Sequence, residues 1–313
     1  MPRLPRILLA EPLDADAERR LEAAAEVVRP GATDTKALRE AVSDCVALIT
    51  RTHMRVSRDL LLSGKHLRVV GVAGVGTDRV DLDAARELGI VVLNTPDAAG
   101  DAVAEFTLAL MLQLLRPVPR LAEDLKRGMY REARAAPHGV ELRELTIGIV
   151  GMGRIGARVG RICSAGFGAK VLYNDIVDVG PFDFAAEAVD KSTIWSQADI
   201  VSLHVPLTDR TRGLVDGQVL ARLQPHALLI NTARGALIDS DALTTALLEN
   251  RIGGAALDVT HPEPLPPGHP LFNTKNCILT PHVAARTSRG LRRMFAIVDA
   301  VLAHLARPAA NLD

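Results

Sequence analysis

The chain is poor in several things that would commit it to other lives. It has three cysteines, Cys45, Cys163 and Cys277, far apart and without a C-x-x-C pair. That excludes a disulfide framework and reads as reduced thiols in a cytoplasmic protein. It has no net charge, since 37 basic side chains balance 37 acidic ones, so no global basic surface invites nucleic acid or an anionic membrane. It has no long hydrophobic run: the most apolar long segment, Phe106 to Leu115, contains Gln113 and is flanked by charge, which does not suit a bilayer span. Near the start, Ile7 to Ala10 is apolar but stops at Glu11, the length of a first strand and too short for a signal peptide. The nine histidines show no metal-ligand spacing, and no metal is expected.

What is present is an alternation of strand and helix. Strand-like runs stand at Arg6–Leu9, Cys45–Thr50, Leu67–Val72 and Ile90–Leu93, with helical patterns between them at 15–25, 35–41, 57–62 and 81–88. Asp81 has the chemistry of an N-cap and Gly89 of a C-terminal stop. After the turn-rich Asn94-Thr95-Pro96 a long helical stretch begins at Asp101, expected to break at Pro117 or Pro119. A second series runs from Ile147 through strands at 199–203, 227–231, 254–259 and 277–280, and a last helix spans about 287–305. The pattern predicts an α/β protein of two Rossmann-like or flavodoxin-like domains with parallel sheets and an active-site cleft between them. Residues 1–100 with 285–313 form one expected domain and 101–284 the other.

The sharpest motif is Gly151-Met152-Gly153-Arg154-Ile155-Gly156, placed after an apolar strand and at the opening of a helix. Gly151 permits the tight turn, Gly153 lets backbone approach a pyrophosphate, and Gly156 lets the helix pack on the sheet. The helix then directs its first N–H groups and positive dipole end at the phosphates. Asp175 ends the next strand nineteen residues past Gly156, where a carboxylate accepts from both adenine-ribose hydroxyls and repels a 2′-phosphate. The expected cofactor is therefore NAD rather than NADP.

Three further segments each follow a predicted strand, where ligands gather in open parallel sheets. Arg234, in Asn231-Thr232-Ala233-Arg234-Gly235, can hold a carboxylate through two parallel hydrogen bonds. Glu263 stands between two prolines, and His282 follows the final strand in Thr280-Pro281-His282. Taken singly, these are a surface arginine, a loop acid and a structural histidine. Together with a nicotinamide they supply what reduction of a keto acid needs: a hydride donor, an anion clamp and a proton donor, with Glu263 favouring the charged form of the imidazole.

This order of motifs resembles the D-2-hydroxyacid dehydrogenase family. The likeness extends through Leu203-His204-Val205-Pro206-Leu207-Thr208, Ala256-Leu257-Asp258-Val259 and Glu263-Pro264-Leu265, and covers nearly the whole chain. It implies an NAD-dependent oxidoreductase and a catalytic set of Arg234, Glu263 and His282. It also implies carboxylate binding by Arg234 and by backbone N–H groups at Val75 and Gly76. On the cofactor side it places Arg154 and Ile155 at the pyrophosphate, Val205 and Pro206 near adenine, and Thr232, Ala233 and Asp258 near the nicotinamide. His204 is expected to line the cofactor cleft. The expected partners are a small 2-keto or 2-hydroxy acid and a second copy of the chain.

Some positions depart from the pattern. Asp97 and Asp101 add charge near the expected hinge, Phe106 stands where many relatives have histidine, and Met129-Tyr130 replaces a usual tryptophan in a region that relatives use for dimerisation. Arg51-Thr52 resembles the Arg-Ser pair that D-3-phosphoglycerate dehydrogenases present to a distal phosphate, and Arg286 follows His282 by four residues. A glyoxylate- or hydroxypyruvate-like substrate is the first reading, with a phosphoglycerate dehydrogenase lacking a regulatory domain as the alternative. Glu263 argues against a formate dehydrogenase, which resembles the family but carries glutamine there. A non-catalytic NAD(H)-sensing protein of the same fold stays open.

Overall fold

Apolar runs of four or five residues, each leading into a helix with a polar cap, fold as parallel β–α units. The computed structural model describes residues 3–31, 35–135 and 137–307. It divides into two units, residues 1–99 with 286–313, and residues 100–285.

In the first unit the order is β1 (Arg6–Leu9), α1 (Ala15–Ala24), β2 (Glu26–Val28), α2 (Thr35–Val42), β3 (Ala47–Arg51), α3 (Arg58–Ser63), β4 (Val69–Ala73), α4 (Leu82–Glu87) and β5 (Val91–Asn94). The strands pair in parallel in the order β2-β1-β3-β4-β5, the flavodoxin-like arrangement. Ile7, Leu8, Leu48, Ile49, Val69 and Val70 are wholly buried, as strands covered by helices on both faces must be. Asp14, Ser57 and Asp81 accept N–H bonds from Ala17, Leu60 and Ala84, caps worth about 1 kcal/mol apiece.

The second unit opens with α5 (Gly100–Leu115), α6 (Val118–Lys126) and α7 (Tyr130–Ala135). Then come β6 (Thr146–Val150), α8 (Arg154–Arg161), β7 (Lys170–Asn174), β8 (Glu187–Ala188), α9 (Lys191–Gln197), β9 (Ile200–Leu203), α10 (Gly217–Leu220), β10 (Leu228–Asn231), α11 (Ser240–Leu248), β11 (Gly254–Leu257) and β12 (Cys277–Leu279). All neighbours are parallel in the order β12-β11-β10-β9-β6-β7-β8, so the strand order reverses between β6 and β9, as in a Rossmann sheet. Alternate residues feed two cores. Val150, Val201, Leu229 and Leu257 pack on one face, and Ile147, Ile149, Ile200, Ile230 and Ala256 on the other.

The chain re-enters the first unit with α12 (Ser288–Phe295) and α13 (Ile297–Ala306). The single last helix expected from the pattern is thus two, divided at Ala296. Pro117 ends the long helix as its chemistry demands, and α5 and α6 meet at 53°. Among the described residues no single helix is long and apolar enough to cross a membrane. Strands β2 and β8 have no counterpart in the sequence pattern. They are three and two residues long and lie at sheet edges, too short to show a period.

Candidate active site

The glycine turn sits at the reversal of strand order. Gly151, with φ 93°, follows β6, and a Cβ there would fall 2.6 Å from the His204 carbonyl oxygen and 2.7 Å from Val205. The turn therefore lies flat against the chain leaving β9, which places Val205 beside it. At Gly156 a Cβ would overlap the Gly151 carbonyl at 2.0 Å, whereas at Gly153 it would meet nothing within 4 Å. Glycine at 156 lets α8 close on the turn, and the space over Gly153 stays open to a ligand. Gly153 is the N-cap of α8, so the first-turn N–H groups of Arg154 and Ile155 point along the axis towards that space.

Asp175, at the end of β7, does more than wait for a ribose. Its Oδ2 accepts from Met152 N at 2.8 Å, inside the glycine turn, and its Oδ1 from Ile176 N at 2.7 Å and Val177 N at 3.3 Å. One carboxylate thereby fixes the turn to the neighbouring strand. The cradle, the helix end and this acid fit a dinucleotide.

The ends of β10, β11 and β12 lie side by side, and each carries one of the three loops named by the sequence. After β10, Asn231 is buried and its side chain closes the loop, donating to the Arg234 carbonyl at 2.8 Å and accepting from Ala233 N at 3.0 Å. Arg234 is half-buried and donates to the Ala233 carbonyl at 2.7 Å. Gly235 presses on the next loop: a Cβ there would coincide with the Thr260 carbonyl at 2.0 Å. Thr232 meets Thr107 of α5, hydroxyl to hydroxyl at 2.9 Å, and both are buried.

After β11 comes Asp258, 1% exposed. Its Oδ1 accepts from Thr280 Oγ1 at 2.7 Å and Val283 N at 2.9 Å, and its Oδ2 from Ala284 N at 2.8 Å. Its carbonyl takes His282 N at 2.8 Å. The loop around His282 is thus wrapped on one buried carboxylate, and His282 is held at φ 53°, in the left-handed region. From there its Nδ1 meets Glu263 Oε1 at 2.8 Å, with both side chains about a quarter exposed at 24% and 29%. Glu263 reaches this position from a loop tied down by Ser240 Oγ to the His261 carbonyl, 2.6 Å, and Thr260 Oγ1 to the Pro262 carbonyl, 3.0 Å.

A ring whose Nδ1–H donates to a carboxylate has Nε2 as its free end, the nitrogen that can take up or release a proton. Burial pushes the Cys163 thiol up to about 12 and Cys277 to about 11, so neither offers a thiolate nucleophile.

Arg51, Val75, Gly76 and Arg286 belong to the first unit. Arg51 ends β3, with its backbone N–H and the Thr50 hydroxyl on Glu11 Oε2 at 2.8 and 3.0 Å. Burial, and then the like charge of Arg286, hold the Arg51 guanidinium below its ordinary range, against the opposing pull of Glu11. The Gly74–Gly76 turn is bracketed by Asn94 Nδ2 on the Val75 carbonyl at 2.6 Å and Thr95 N on the Gly74 carbonyl at 3.0 Å.

The model of the D-isomer specific 2-hydroxyacid dehydrogenase NAD binding domain matches residues 108–284. The chain belongs to that family. It is 41% identical over 255 residues to a glyoxylate reductase of Aeropyrum pernix, covering 79% of this chain and 76% of the relative. It is 39% identical over 297 residues to a D-3-phosphoglycerate dehydrogenase of Methanocaldococcus jannaschii, covering 94% of this chain but only 56% of that relative's length. Among solved structures, an NADPH-dependent glyoxylate/hydroxypyruvate reductase of Sinorhizobium meliloti in complex with NADP and malonate superposes with TM-score 0.88 at 31% identity, over 98% of this chain and 95% of that one.

Sequence reasoning missed Asn231, Thr107 and Glu11 as scaffolding and placed Asp258 only as a cofactor contact. An asparagine at a strand end and the single threonine of a largely apolar helix were the available signals.

Two measurements follow from this geometry. Asp258→Asn turns an amide nitrogen towards the Ala284 or Val283 N–H, and the loss of matched acceptors lowers unfolding free energy by roughly 2 kcal/mol. Unchanged denaturant midpoints would remove the clamp. His204, whose Nε2 lies 2.8 Å from Ser202 Oγ, is pushed down by burial to about 4. Unfolded histidine titrates near 6.5, so the unfolded chain takes up a proton first as pH falls. Its contribution is complete above about 6.5 and is lost towards 4, up to about 3 kcal/mol. His204→Gln flattens that limb of the stability–pH curve, and a parallel curve in the variant would refute the assignment.

Proposed function

We propose that this chain reduces a small 2-keto acid to the D-2-hydroxy acid, with NADH as the preferred cofactor. The observation that carries the reading is the 2.8 Å His282–Glu263 pair, with the loop of Arg234 following the adjacent strand β10.

When bound, the reduced nicotinamide supplies the hydride. The residues that would hold the dinucleotide are Gly151, Gly153, Arg154, Ile155 and Gly156 for the pyrophosphate, Asp175 for the adenine ribose, and Val205 and Pro206 beside the adenine. Thr232 and Ala233 would lie on the nicotinamide side, with Asp258 beneath them as the buried clamp of the His282 loop. Asp175 keeps lone pairs for ribose hydroxyls beyond its backbone bonds, and its negative charge disfavours a 2′-phosphate. Exposed Ile176 and Val177, at 95% and 61%, offer no cation to counter that. Arg234 grips the substrate carboxylate with its planar fork, joined by backbone N–H groups at Val75 and Gly76. His282 delivers a proton from Nε2 to the oxygen that becomes the alcohol. Glu263 orients the ring through Nδ1 and balances the positive charge the ring carries whenever Nε2 also holds a proton.

A second substrate class rests on a separate observation. Two guanidinium groups, Arg51 and Arg286, repel one another at the carboxyl end of the first sheet, and a second anionic group on the substrate would relieve them. The relatives named glyoxylate reductase and D-3-phosphoglycerate dehydrogenase correspond to the two classes.

The chain is also inferred to pair with a second copy. Helices α6 and α7 bury no residue of their own, and they and the turn between them expose Val118, Leu125, Met129 and Tyr130 by 62, 57, 41 and 57%. Surface of that kind marks an interface. Equilibrium sedimentation at the dimer mass, and at the monomer mass for Leu125→Glu, is the expected result. A monomeric parent would end the inference.

The test of the activity is NADH and NADPH oxidation against glyoxylate, hydroxypyruvate, pyruvate, phenylpyruvate, 2-oxoglutarate and phosphohydroxypyruvate. The fastest turnover is expected for glyoxylate or hydroxypyruvate with NADH, and His282→Ala lowers kcat by about a hundredfold or more. A lead for phosphohydroxypyruvate, lost in Arg51→Ala, favours the second class. Tight NADH binding without turnover of any acid would make the chain a sensor instead.

A further inference from the structure

Helix α5 opens at Gly100 and helix α8 at Arg154, and one side chain reaches both openings. Arg158, on the second turn of α8, donates from Nε to Asp101 Oδ1 at 2.7 Å and from Nη1 to the carbonyl oxygen of Arg154 at 2.6 Å. Its guanidinium plane lies over Gly100, where a Cβ would sit 3.2 Å from both Cζ and Nη1. A glycine at this position lets the flat cation rest against backbone. The carbonyl of Arg154 already serves the helical ladder, so the second donor stiffens the first turn of α8.

The pair adds little to folding. The two side chains are 41% and 54% exposed, and ion pairs in that setting contribute little net stability. Its placement is another matter. One end of the fork grips the turn whose N–H groups face the pyrophosphate site. The other grips the first residues of α5, and further along that helix Thr107 holds Thr232 of the arginine loop.

We propose that Arg158 is a positioning residue for the cofactor's pyrophosphate. By holding Asp101 and the Arg154 carbonyl together, it sets the angle at which the first turn of α8 meets the phosphates. This rests on the dinucleotide reading of the glycine turn. A simple positive charge near the phosphates would be equally well supplied by lysine, and would act more strongly once Asp101 no longer neutralised it. A fixed fork has neither property, because lysine is a point donor and cannot make both bonds in one plane.

The experiment is isothermal titration of the full-length chain and of Arg158→Lys, Arg158→Ala and Asp101→Asn with NADH, ADP-ribose and adenosine, alongside thermal unfolding. The expected result is a loss of about 5- to 10-fold in affinity for NADH and ADP-ribose in all three variants, the size of one ordinary hydrogen bond. Adenosine affinity and unfolding temperature stay at the parental values. Parental NADH affinity in Arg158→Lys, or tighter binding in Asp101→Asn, would overturn the proposal by reducing Arg158 to a charge. An equal loss for adenosine would overturn it as well, since the effect would not be centred on the pyrophosphate. A parent chain that does not bind NADH strikes the dinucleotide reading itself, an outcome distinct from the others.

Discussion

Asp258 lies 1% exposed at the end of β11 with its carboxylate on Thr280, Val283 and Ala284, and a buried anion is tolerable there only while those donors stay in place. The constraint works in both directions. Because the acid needs the donors, the chain after β12 must turn back over it, and that turn is what delivers His282. The glutamate reaches the same ring from the loop that begins at Asp258. Both members of the His282–Glu263 pair are therefore placed by the two ends of one structure, and a shift of the buried acid would move them together.

The glycine turn is governed by a similar economy. Asp175 accepts from Met152 within the turn and from Ile176 beyond β7, so the carboxylate read as a ribose partner is also part of the scaffold. The strand order reverses between β6 and β9, and there the turn rests on the His204 carbonyl with only glycine tolerated at 151. Chemistry and architecture share residues at this end of the sheet. A substitution of Asp175 chosen to alter cofactor preference will also disturb the glycine turn it holds.

Much of this was legible in the chain itself. The strand at Arg6–Leu9 and the cap at Asp81 stand where the pattern put them, since an apolar run of four and a cap three residues from its N–H partner are both spelled locally. The glycine motif was legible for the same reason: its chemistry is spelled within six residues. The loops of Arg234, Glu263 and His282 could be named, because each follows a strand. The bond between Glu263 and His282 was only a supposition, as it depends on the adjacency of β11 and β12. What stayed hidden has longer range. Arg158 and Asp101 are separated by 57 residues and Thr107 and Thr232 by 125, and no local period announces such pairs. The inward turn of Asp258 was hidden too, because an acid after a strand reads the same whether it faces a ligand or its own loop.

One feature of the backbone bears on how the protein behaves under laboratory selection. His282 occupies a left-handed conformation, φ 53°, which glycine adopts without cost and asparagine more readily than most residues. Holding an imidazole there stores conformational strain beside the His282–Glu263 pair. A library screened only for heat resistance will accordingly drift towards asparagine or glycine at position 282, gaining robustness while discarding the imidazole proposed as proton donor. The histidine persists under a demand for turnover, and its replacement in a stabilised variant would be a signature of selection blind to chemistry.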